Sequence, residues 1–299
     1  MSAIFGVHTG LQNTSIDELR SLWTRIEELP FDWISIWDHF YSADFDGAHC
    51  HEAVAAHAAL ALSTSRVEVG SLVYCAAYRH PAVLANAIVT IDHLSGGRAA
   101  MGLGAGWAKF EFDAYGIPFE EPKVRLDVLE ESAQCVLGLL RNETTDFSGT
   151  HFNLVDAKCE PKPMRDQLPL WIGGGGEKRT LKIVGKYADG WNIPFASPEA
   201  FVHKRHVLTE HAEAAGRSIS DIRTAINVGM CPTEADLQEQ FGGLAEGVRA
   251  GVLMGSQQQM VDHLGRYLDV GVQQINLAMR APWQLEHLEM MAATIEELG

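Results

Sequence analysis

Hydrophobic residues recur along the chain in two alternating patterns, one typical of buried strands and one of amphipathic helices. Continuous apolar runs predict strands at eight places: residues 3–8, 33–37, 67–73, 98–103, 170–172, 190–193, 222–228 and 273–278. Helical spacing separates these runs, as in the Ile16, Leu19 and Trp23 series that follows a capping box of Ser15 and Glu18. The order of elements therefore predicts repeated β/α units with parallel strands.

The alternation breaks once, between residues 142 and 168, where turn-forming residues predict a surface β-hairpin insertion. Eight β/α units predict a closed (β/α)8 TIM barrel, formed as a single domain over residues 1–299 with the hairpin before the fifth strand. A doubly wound open sheet uses the same alternation, but residues 102–106 lack the G-x-G-x-x-G spacing of its dinucleotide site. In a barrel the working residues are expected at the carboxyl ends of the strands.

Charge and cysteine content narrow the class of protein. The chain has 23 Lys and Arg against 39 Asp and Glu, a net charge of −16, which disfavours nucleic acids and anionic membranes as partners. It contains no run of about 20 apolar residues and no basic leader at Met1. Its five cysteines are scattered without a C-x-x-C pair, so free thiols and a cytoplasmic location are expected.

Candidate acid and base groups stand at the end of the second predicted strand. Asp38 and His39 are adjacent there, and a positioned imidazole contributes roughly 10²–10⁴ in rate as a proton donor or acceptor. In the alternative interpretation, His39 only hydrogen-bonds the rim and Asp38 caps a turn. Three tryptophans at strand ends predict a substrate wall for a planar ligand, although each could equally pack between barrel and helices: Trp37, Trp107 and Trp191.

Glycines after two strands predict a site for an anion and a flat ligand. Gly173, Gly174, Gly175 and Gly176 lead into a predicted helix from Glu177, so free backbone amides and the helix dipole favour a phosphate, with Lys178 adding charge. A loose turn is the alternative. The stretch of Gly104, Ala105 and Gly106 similarly lets a flat ligand approach the backbone.

A metal site is not expected. His49, His51, Glu52 and His57 form a loose cluster in sequence, but their spacing does not match H-E-x-x-H. The first strand carries His8 alone, where a barrel metallohydrolase places an H-x-H pair. A metallohydrolase therefore stays a minor alternative.

Several segments together resemble the bacterial luciferase-like flavin monooxygenases and, within that family, oxidoreductases that use the deazaflavin coenzyme F420. The resemblance is specific over about residues 3–230 and weaker beyond, and it implies a (β/α)8 barrel. The segments that carry it are Trp37-Asp38-His39-Phe40, Tyr78-Arg79-His80-Pro81, residues 94–98, 102–107, 115–119, 171–180 and 187–192.

The resemblance also implies roles for particular residues. His39 would lie near the reactive edge of the deazaflavin as proton donor or acceptor, with Asp38 beside it. A cis peptide bond between Leu72 and Val73 would back the ring, and the four glycines from 173 to 176 would hold the phosphate. Sugar-phosphate dehydrogenases of the family place a glutamate where this chain has Trp107, so a less polar substrate is implied.

The expected function is hydride transfer between F420 and a weakly polar organic small molecule, a task in which the cofactor supplies the redox chemistry. An FMN-dependent monooxygenase that uses reduced flavin and oxygen is the first alternative. A non-catalytic ligand-binding barrel would keep the glycine site and have no need of His39. A homodimer is compatible with the sequence.

Overall fold

Parallel strands form the centre of the protein in the computed structural model, which describes residues 3–42 and 49–298. The strands, in chain order, are β1 Ile4–Thr9, β2 Trp33–Ile36, β3 Glu68–Ser71, β4 Tyr74–Cys75, β5 Ala99–Gly104, β6 Thr145–Ser148, β7 Asn153–Ala157, β8 Leu170–Gly173, β9 Gly190–Pro194, β10 Arg223–Met230, β11 Val252–Leu253 and β12 Gln274–Met279. Eight of those described strands pair in a ring: β1, β2, β3, β5, β8, β9, β10 and β12. Pairing of β9 with β10, and of β12 with β1, closes it.

Helices follow the strands and cover the outside of the ring. They are α1 Ile16–Glu28, α2 Ala53–Ser63, α3 Pro81–Ser95, α4 Lys109–Tyr115, α5 Pro122–Arg141, α6 Thr180–Tyr187, α7 Pro198–Ala214, α8 Glu234–Phe241, α9 Ala245–Val248, α10 Gln257–Asp269 and α11 Leu285–Leu298. The Ser15 and Glu18 capping box starts α1, and Gly96 ends α3 in the left-handed conformation (φ 70°). The prediction of a (β/α)8 barrel is confirmed.

The predicted insertion is present as an antiparallel hairpin of β6 and β7. Glu131 of α5 accepts backbone hydrogen bonds from residues 150, 151 and 152 in the turn, at 2.8–3.0 Å. These bonds tie the hairpin to the helix that precedes it. Within the described ranges, no helix has the length and apolar character of a membrane span.

Besides the short strand β11, which was not predicted, three elements differ from the sequence prediction. The third strand is interrupted by a cis peptide bond between Leu72 and Val73, so β3 stops at Ser71 and the chain resumes as β4. Helix α6 begins at Thr180 and not at Glu177, because residues 177–179 form a turn. Helix α4 was not predicted, since its inward-facing Glu111 interrupts the apolar pattern of a short helix.

Two tryptophans fill the barrel interior, and glycines on neighbouring strands make room for them. Trp33 of β2 and Trp171 of β8 are fully buried, with ring centroids 5.3 Å apart. A Cβ on Gly6 of β1 would lie 2.8 Å from Cδ1 of Trp33, and one on Gly70 of β3 would overlap the same ring. A Cβ on Gly190 of β9 would likewise overlap Trp171. Absence of side chains at these positions lets the barrel close around large rings.

We therefore expect Gly70→Ala to lower the free energy of unfolding by about 1–3 kcal/mol, because the new methyl group collides with a ring that has no free volume to move into. Chemical denaturation measures the change. Gly265→Ala in α10 is the matched control, since nothing lies within 4 Å of its added Cβ. A loss of stability no larger than that of the control would contradict this account of the interior.

Candidate active site

A cavity of about 580 Å³ opens at the carboxyl ends of the barrel strands. Most of the predicted site residues line it: Trp37, Asp38, His39, Leu72, Val73, Gly104, Ala105, Gly106, Trp107, Gly173 and Gly174. Residues that were not predicted as site residues complete the lining: His8, Gln12, Tyr41, Cys75, Tyr78, Ala108, Thr180, Asn192, Pro194, Phe195, Asn227, Leu244, Val248, Ala278 and Arg280. The volume lies in the usual range for small-molecule sites.

The imidazole of His39 is held by a buried carboxylate that sequence reasoning missed. Nδ1 of His39 lies 3.0 Å from both carboxylate oxygens of Glu111, which belongs to α4 and is completely buried. The hydroxyl of Tyr78 donates to the same carboxylate at 2.7 Å. The backbone amides of Phe40 and Tyr41 also donate to it, each at 3.1 Å. Glu111 therefore joins α4 to the segment after β2.

These bonds determine the charge of Glu111 and the tautomer of His39. Burial alone raises the pKa of Glu111, but hydrogen bonds from His39, Tyr78 and the Tyr41 amide outweigh it, so that the pKa is lowered. An ionised carboxylate only accepts hydrogen bonds, so the Nδ1 atom of His39 carries a hydrogen. Nε2 is then the ring nitrogen that can accept or release a proton in the cavity.

Asp38 lies next to His39 in the chain, but its carboxylate has other partners. Its carboxylate accepts two hydrogen bonds from Arg79, at 2.6 and 3.0 Å, and one from the amide of Cys75 at 2.9 Å. Arg79 also contacts Glu52. A buried carboxylate engaged in this way anchors the loop between β4 and α3 and is not available as the acid or base.

The glycines of β5 and β8 lie against Val73. A Cβ on Gly104 would come within 2.5 Å of Cγ2 of Val73, and one on Gly173 within 3.0 Å of its Cγ1. A Cβ on Gly102 would overlap the carbonyl oxygen of Ser71. The two strands therefore need glycine so that the segment with the cis peptide bond can approach them, and the cavity wall here is backbone and one branched side chain. The cis peptide bond is where the family resemblance placed it.

The glycine loop after β8 starts at the cavity and leads away from it. Gly173, Gly174 and Thr180 line the cavity, whereas Gly175 and Gly176 lie beyond it. Within the described residues, the amides of Gly175 and Gly176 have no hydrogen-bond acceptor. Thr180 begins α6, whose N-cap residue, Arg179, makes no side-chain capping hydrogen bond to the helix. This arrangement leaves donors open to an anion at a helix N-terminus.

The basic residues of this loop do not face the cavity. Lys178 is exposed and absent from the cavity lining, so its contribution to cofactor binding stays a prediction. Arg179 is engaged with Asp127 at 2.7 Å and Glu130 at 3.5 Å. The open backbone amides are therefore the main donors that this loop offers to an anion.

Only two of the three predicted tryptophans reach the cavity. The ring centroid of Trp37 lies 6.5 Å from that of His39, and the ring centroid of Trp107 lies 5.5 Å from it. Trp191 does not contribute to the wall, which corrects that prediction: it is fully buried and stacks on Phe201 of α7. Side chains alternate along a strand, so Trp191 points outward from β9.

The histidine cluster near residue 50 has a structural role. Nε2 of His49 and Nε2 of His51 both lie 2.9 Å from the carbonyl oxygen of Thr14. His57 is buried elsewhere and bonded through Nδ1 to the hydroxyl of Tyr74 at 2.8 Å. Among residues 3–42 and 49–298, no three His, Cys, Asp or Glu side chains are grouped as metal ligands.

Comparison with known families identifies this arrangement. The profile of the luciferase-like monooxygenase family matches residues 2–296. The chain belongs to this family. Its (β/α)8 barrel and the position of its cavity agree with that assignment.

Individual relatives and solved structures resemble this chain in sequence or in fold. An F420-dependent glucose-6-phosphate dehydrogenase from Amycolatopsis mediterranei (strain U-32) is 32% identical over 207 residues, which are 68% of this chain and 62% of the relative. The chain thus matches about three fifths of that relative's length. A solved F420-dependent secondary alcohol dehydrogenase in complex with an F420-acetone adduct has a TM-score of 0.90 at 21% identity, with both chains fully covered. A long-chain alkane monooxygenase has a TM-score of 0.80 at 14% identity, covering 99% of this chain and 92% of the other.

We expect Asp38→Asn to reduce the free energy of unfolding by about 2–4 kcal/mol, because Arg79 would lose a buried charged partner and keep only the partly exposed Glu52. Urea denaturation at neutral pH measures the change. Glu234→Gln is the matched control, since its pair with Arg249 is exposed to solvent and contributes little to stability. Equal effects of the two substitutions would contradict the anchoring role of Asp38.

Proposed function

We propose that this chain is a coenzyme F420-dependent oxidoreductase that moves a hydride between the deazaflavin and a weakly polar organic substrate. The observation that carries the proposal is the cavity-lining imidazole of His39, which a fully buried carboxylate holds with Nε2 available for a proton. Membership of the luciferase-like family and the F420-dependent relatives support the choice of cofactor.

The residues present fit a flat, phosphate-bearing cofactor. Val73, Gly104 and Gly173 form a wall with few projecting side chains, against which a planar ring can lie. The open amides of Gly175 and Gly176, next to the start of α6, suit the phosphate. When bound, F420 supplies a carrier that accepts or donates a hydride.

The chain itself handles the accompanying proton. In the oxidation direction, Nε2 of His39 takes the proton of the substrate hydroxyl as the carbonyl forms, and in reduction it returns that proton. Glu111 acts as a positioning residue: it holds Nδ1–H and so keeps Nε2 turned to the cavity. Tyr78 supports the carboxylate from its other side.

Apolar side chains dominate the remaining wall of the cavity, which favours a weakly polar substrate. They are Trp37, Trp107, Phe195, Leu244 and Val248. No lysine of the described part of the chain lines the cavity, and Arg280 is its only arginine there. A sugar phosphate, as named for the dehydrogenase relatives, would leave most of its charge against hydrocarbon, which is costly.

An FMN-dependent monooxygenase is the second candidate, because the alkane monooxygenase shares the fold. In addition, the ring and phosphate of FMN are similar to those of F420. We place the enzyme in the cytoplasm, as its five cysteines are free thiols and a reducing compartment suits them. The proposed partner is the small-molecule substrate, without nucleic acid, and the proposal is compatible with a homodimer.

Titration of the purified protein with F420 and with FMN tests the choice of cofactor. We expect saturable quenching of F420 fluorescence and weaker binding of FMN, followed by anaerobic oxidation of a secondary alcohol with F420 as acceptor. Tight binding of FMN with oxygen uptake, and no binding of F420, would favour the monooxygenase. Binding of neither cofactor would refute the proposal.

His39→Ala is expected to lower kcat by about 10²–10⁴, since it removes the proton acceptor, while F420 still binds. The readouts are steady-state turnover and the F420 dissociation constant. His206→Ala on α7 is the control, because this histidine is exposed and far from the cavity lining. Undiminished turnover in His39→Ala would show that the imidazole is not the proton carrier.

Glu111→Gln is expected to lower kcat by roughly 10–100-fold, the usual cost of losing a residue that orients a working histidine. The same substitution placed in the His39→Ala background should cost much less, because the two residues act as one unit. Comparison of kcat in the single and double variants measures this. Independent, multiplicative losses would contradict the positioning role.

A further inference from the structure

A second polar group of the cavity has no role in the proton transfer. His8, at the end of β1, is almost completely buried and lines the cavity. Nδ1 of His8 lies 2.9 Å from Oγ of Ser35 on the adjacent strand β2. With Nδ1 turned to Ser35, the other nitrogen, Nε2, is the polar atom that His8 can present to a ligand.

The hydroxyl of Ser35 determines the tautomer of His8. Ser35 is fully buried, and within the described residues its Oγ has the imidazole as its single hydrogen-bond partner. A buried hydroxyl that donates to nothing is costly, so Ser35 donates to Nδ1. Nε2 of His8 then carries the hydrogen and is a donor toward the cavity.

Burial keeps this imidazole neutral. Burial, followed by the nearby charges of His39 and Arg280, lowers the pKa of His8 to about 3. Trp37, which packs edge-on against the ring at 5.2 Å, brings no charge. His8 is therefore a donor without a formal charge over the whole neutral range.

Gln12 provides an independent observation at the same wall. Its side chain is buried and lines the cavity, and its Oε1 atom is buried without a hydrogen-bond partner in the described ranges. A Cβ on Gly10 would lie 2.7 Å from Oε1 of Gln12 and 2.8 Å from Cη2 of Trp37, so both side chains crowd the same point. A buried amide oxygen without a partner in a cavity is a group that a hydrogen bond from a ligand would satisfy.

We propose that His8 and Gln12 form a subsite for an uncharged carbonyl or hydroxyl oxygen of the bound ligand, next to Trp37, whose ring centroid lies 5.2 Å from that of His8 and 6.5 Å from that of His39. His8 donates Nε2–H to this oxygen. The side-chain amide of Gln12 donates to the oxygen if it belongs to a carbonyl, and accepts a hydrogen bond from it if it belongs to a hydroxyl. The oxygen belongs either to the deazaflavin ring or to a second polar group of the substrate. The inference deepens the proposed function and rests on it for the identity of the cofactor.

Nitrogen-15 NMR of the histidine rings tests the tautomer in the free protein. We expect His8 to stay neutral with hydrogen on Nε2 between pH 5 and pH 9, a range well above its lowered pKa. The signal is assigned by its loss in His8→Leu. Hydrogen on Nδ1, or a charge change within this range, would overturn the proposal whether or not any cofactor binds.

Ligand addition in the same spectra tests the subsite, with cyclohexanol and cyclohexane-1,4-diol as uncharged probes that carry one and two oxygens. A shift of the His8 Nε2–H signal with F420 alone assigns the oxygen to the cofactor. A shift only when the diol is added to the F420 complex assigns it to the substrate. His57 is the internal control, because it is equally buried and does not line the cavity. If neither addition moves His8 more than His57, the proposal is overturned.

Variants give a second measure, in which a change of affinity replaces the change of chemical shift. His8→Leu and Gln12→Leu should each weaken binding of the ligand identified by NMR about 2–10-fold, the usual value of one uncharged hydrogen bond. His57→Leu should leave that affinity unchanged. Gln12→Leu keeps the test available if His8→Leu does not fold. Unchanged affinity in both cavity variants would contradict the subsite, whereas failure of wild-type protein to bind F420 would refute only the proposed function.

Discussion

The carboxylate of Glu111 is the interaction on which the arrangement of the cavity depends. A charge with no exposure to water is tolerated only if hydrogen bonds replace its hydration, and five donor contacts from four residues do so here. Those donors come from two separate parts of the chain, the segment after β2 and the loop before α3, whereas the carboxylate itself belongs to α4. Satisfying one buried charge therefore fixes the position of α4, the path of residues 39–41 and the orientation of His39.

Glycine residues shape another wall of the cavity, because they leave space for a neighbouring segment. The approach of the Leu72–Val73 segment to β5 and β8 is possible because Gly102, Gly104 and Gly173 have no Cβ. The same absence of side chains makes this wall flat. Hydrogen bonds to a buried carboxylate thus shape one wall of the cavity, and glycines without side chains shape another. The two walls together accommodate a planar ring next to the imidazole that carries the proton.

The alternation of strands and helices was sufficient to predict the barrel, and with it the fact that His39, Gly173 and Trp107 would meet at one end. Contacts between distant residues could not be predicted in the same way. Glu111 is 72 positions from His39, and Arg79 is 41 positions from Asp38, so neither pairing leaves a local signal. Trp191 could have been excluded from the cavity wall, because successive side chains of a strand point to opposite faces and its neighbour on β9, Asn192, lines the cavity.

The two histidines of the cavity show how the neighbour of a ring decides its chemistry. His39 faces an ionised carboxylate, which accepts a hydrogen bond from Nδ1–H, so that Nε2 is the nitrogen with the lone pair in the neutral ring. His8 faces a buried hydroxyl, which donates to Nδ1 and so leaves the hydrogen on Nε2. The same side chain thus presents an acceptor at one place and a donor at another. Because each tautomer is set by a buried partner and not by solvent, the cavity can distinguish the oxygen that loses or gains a proton from one that is only held.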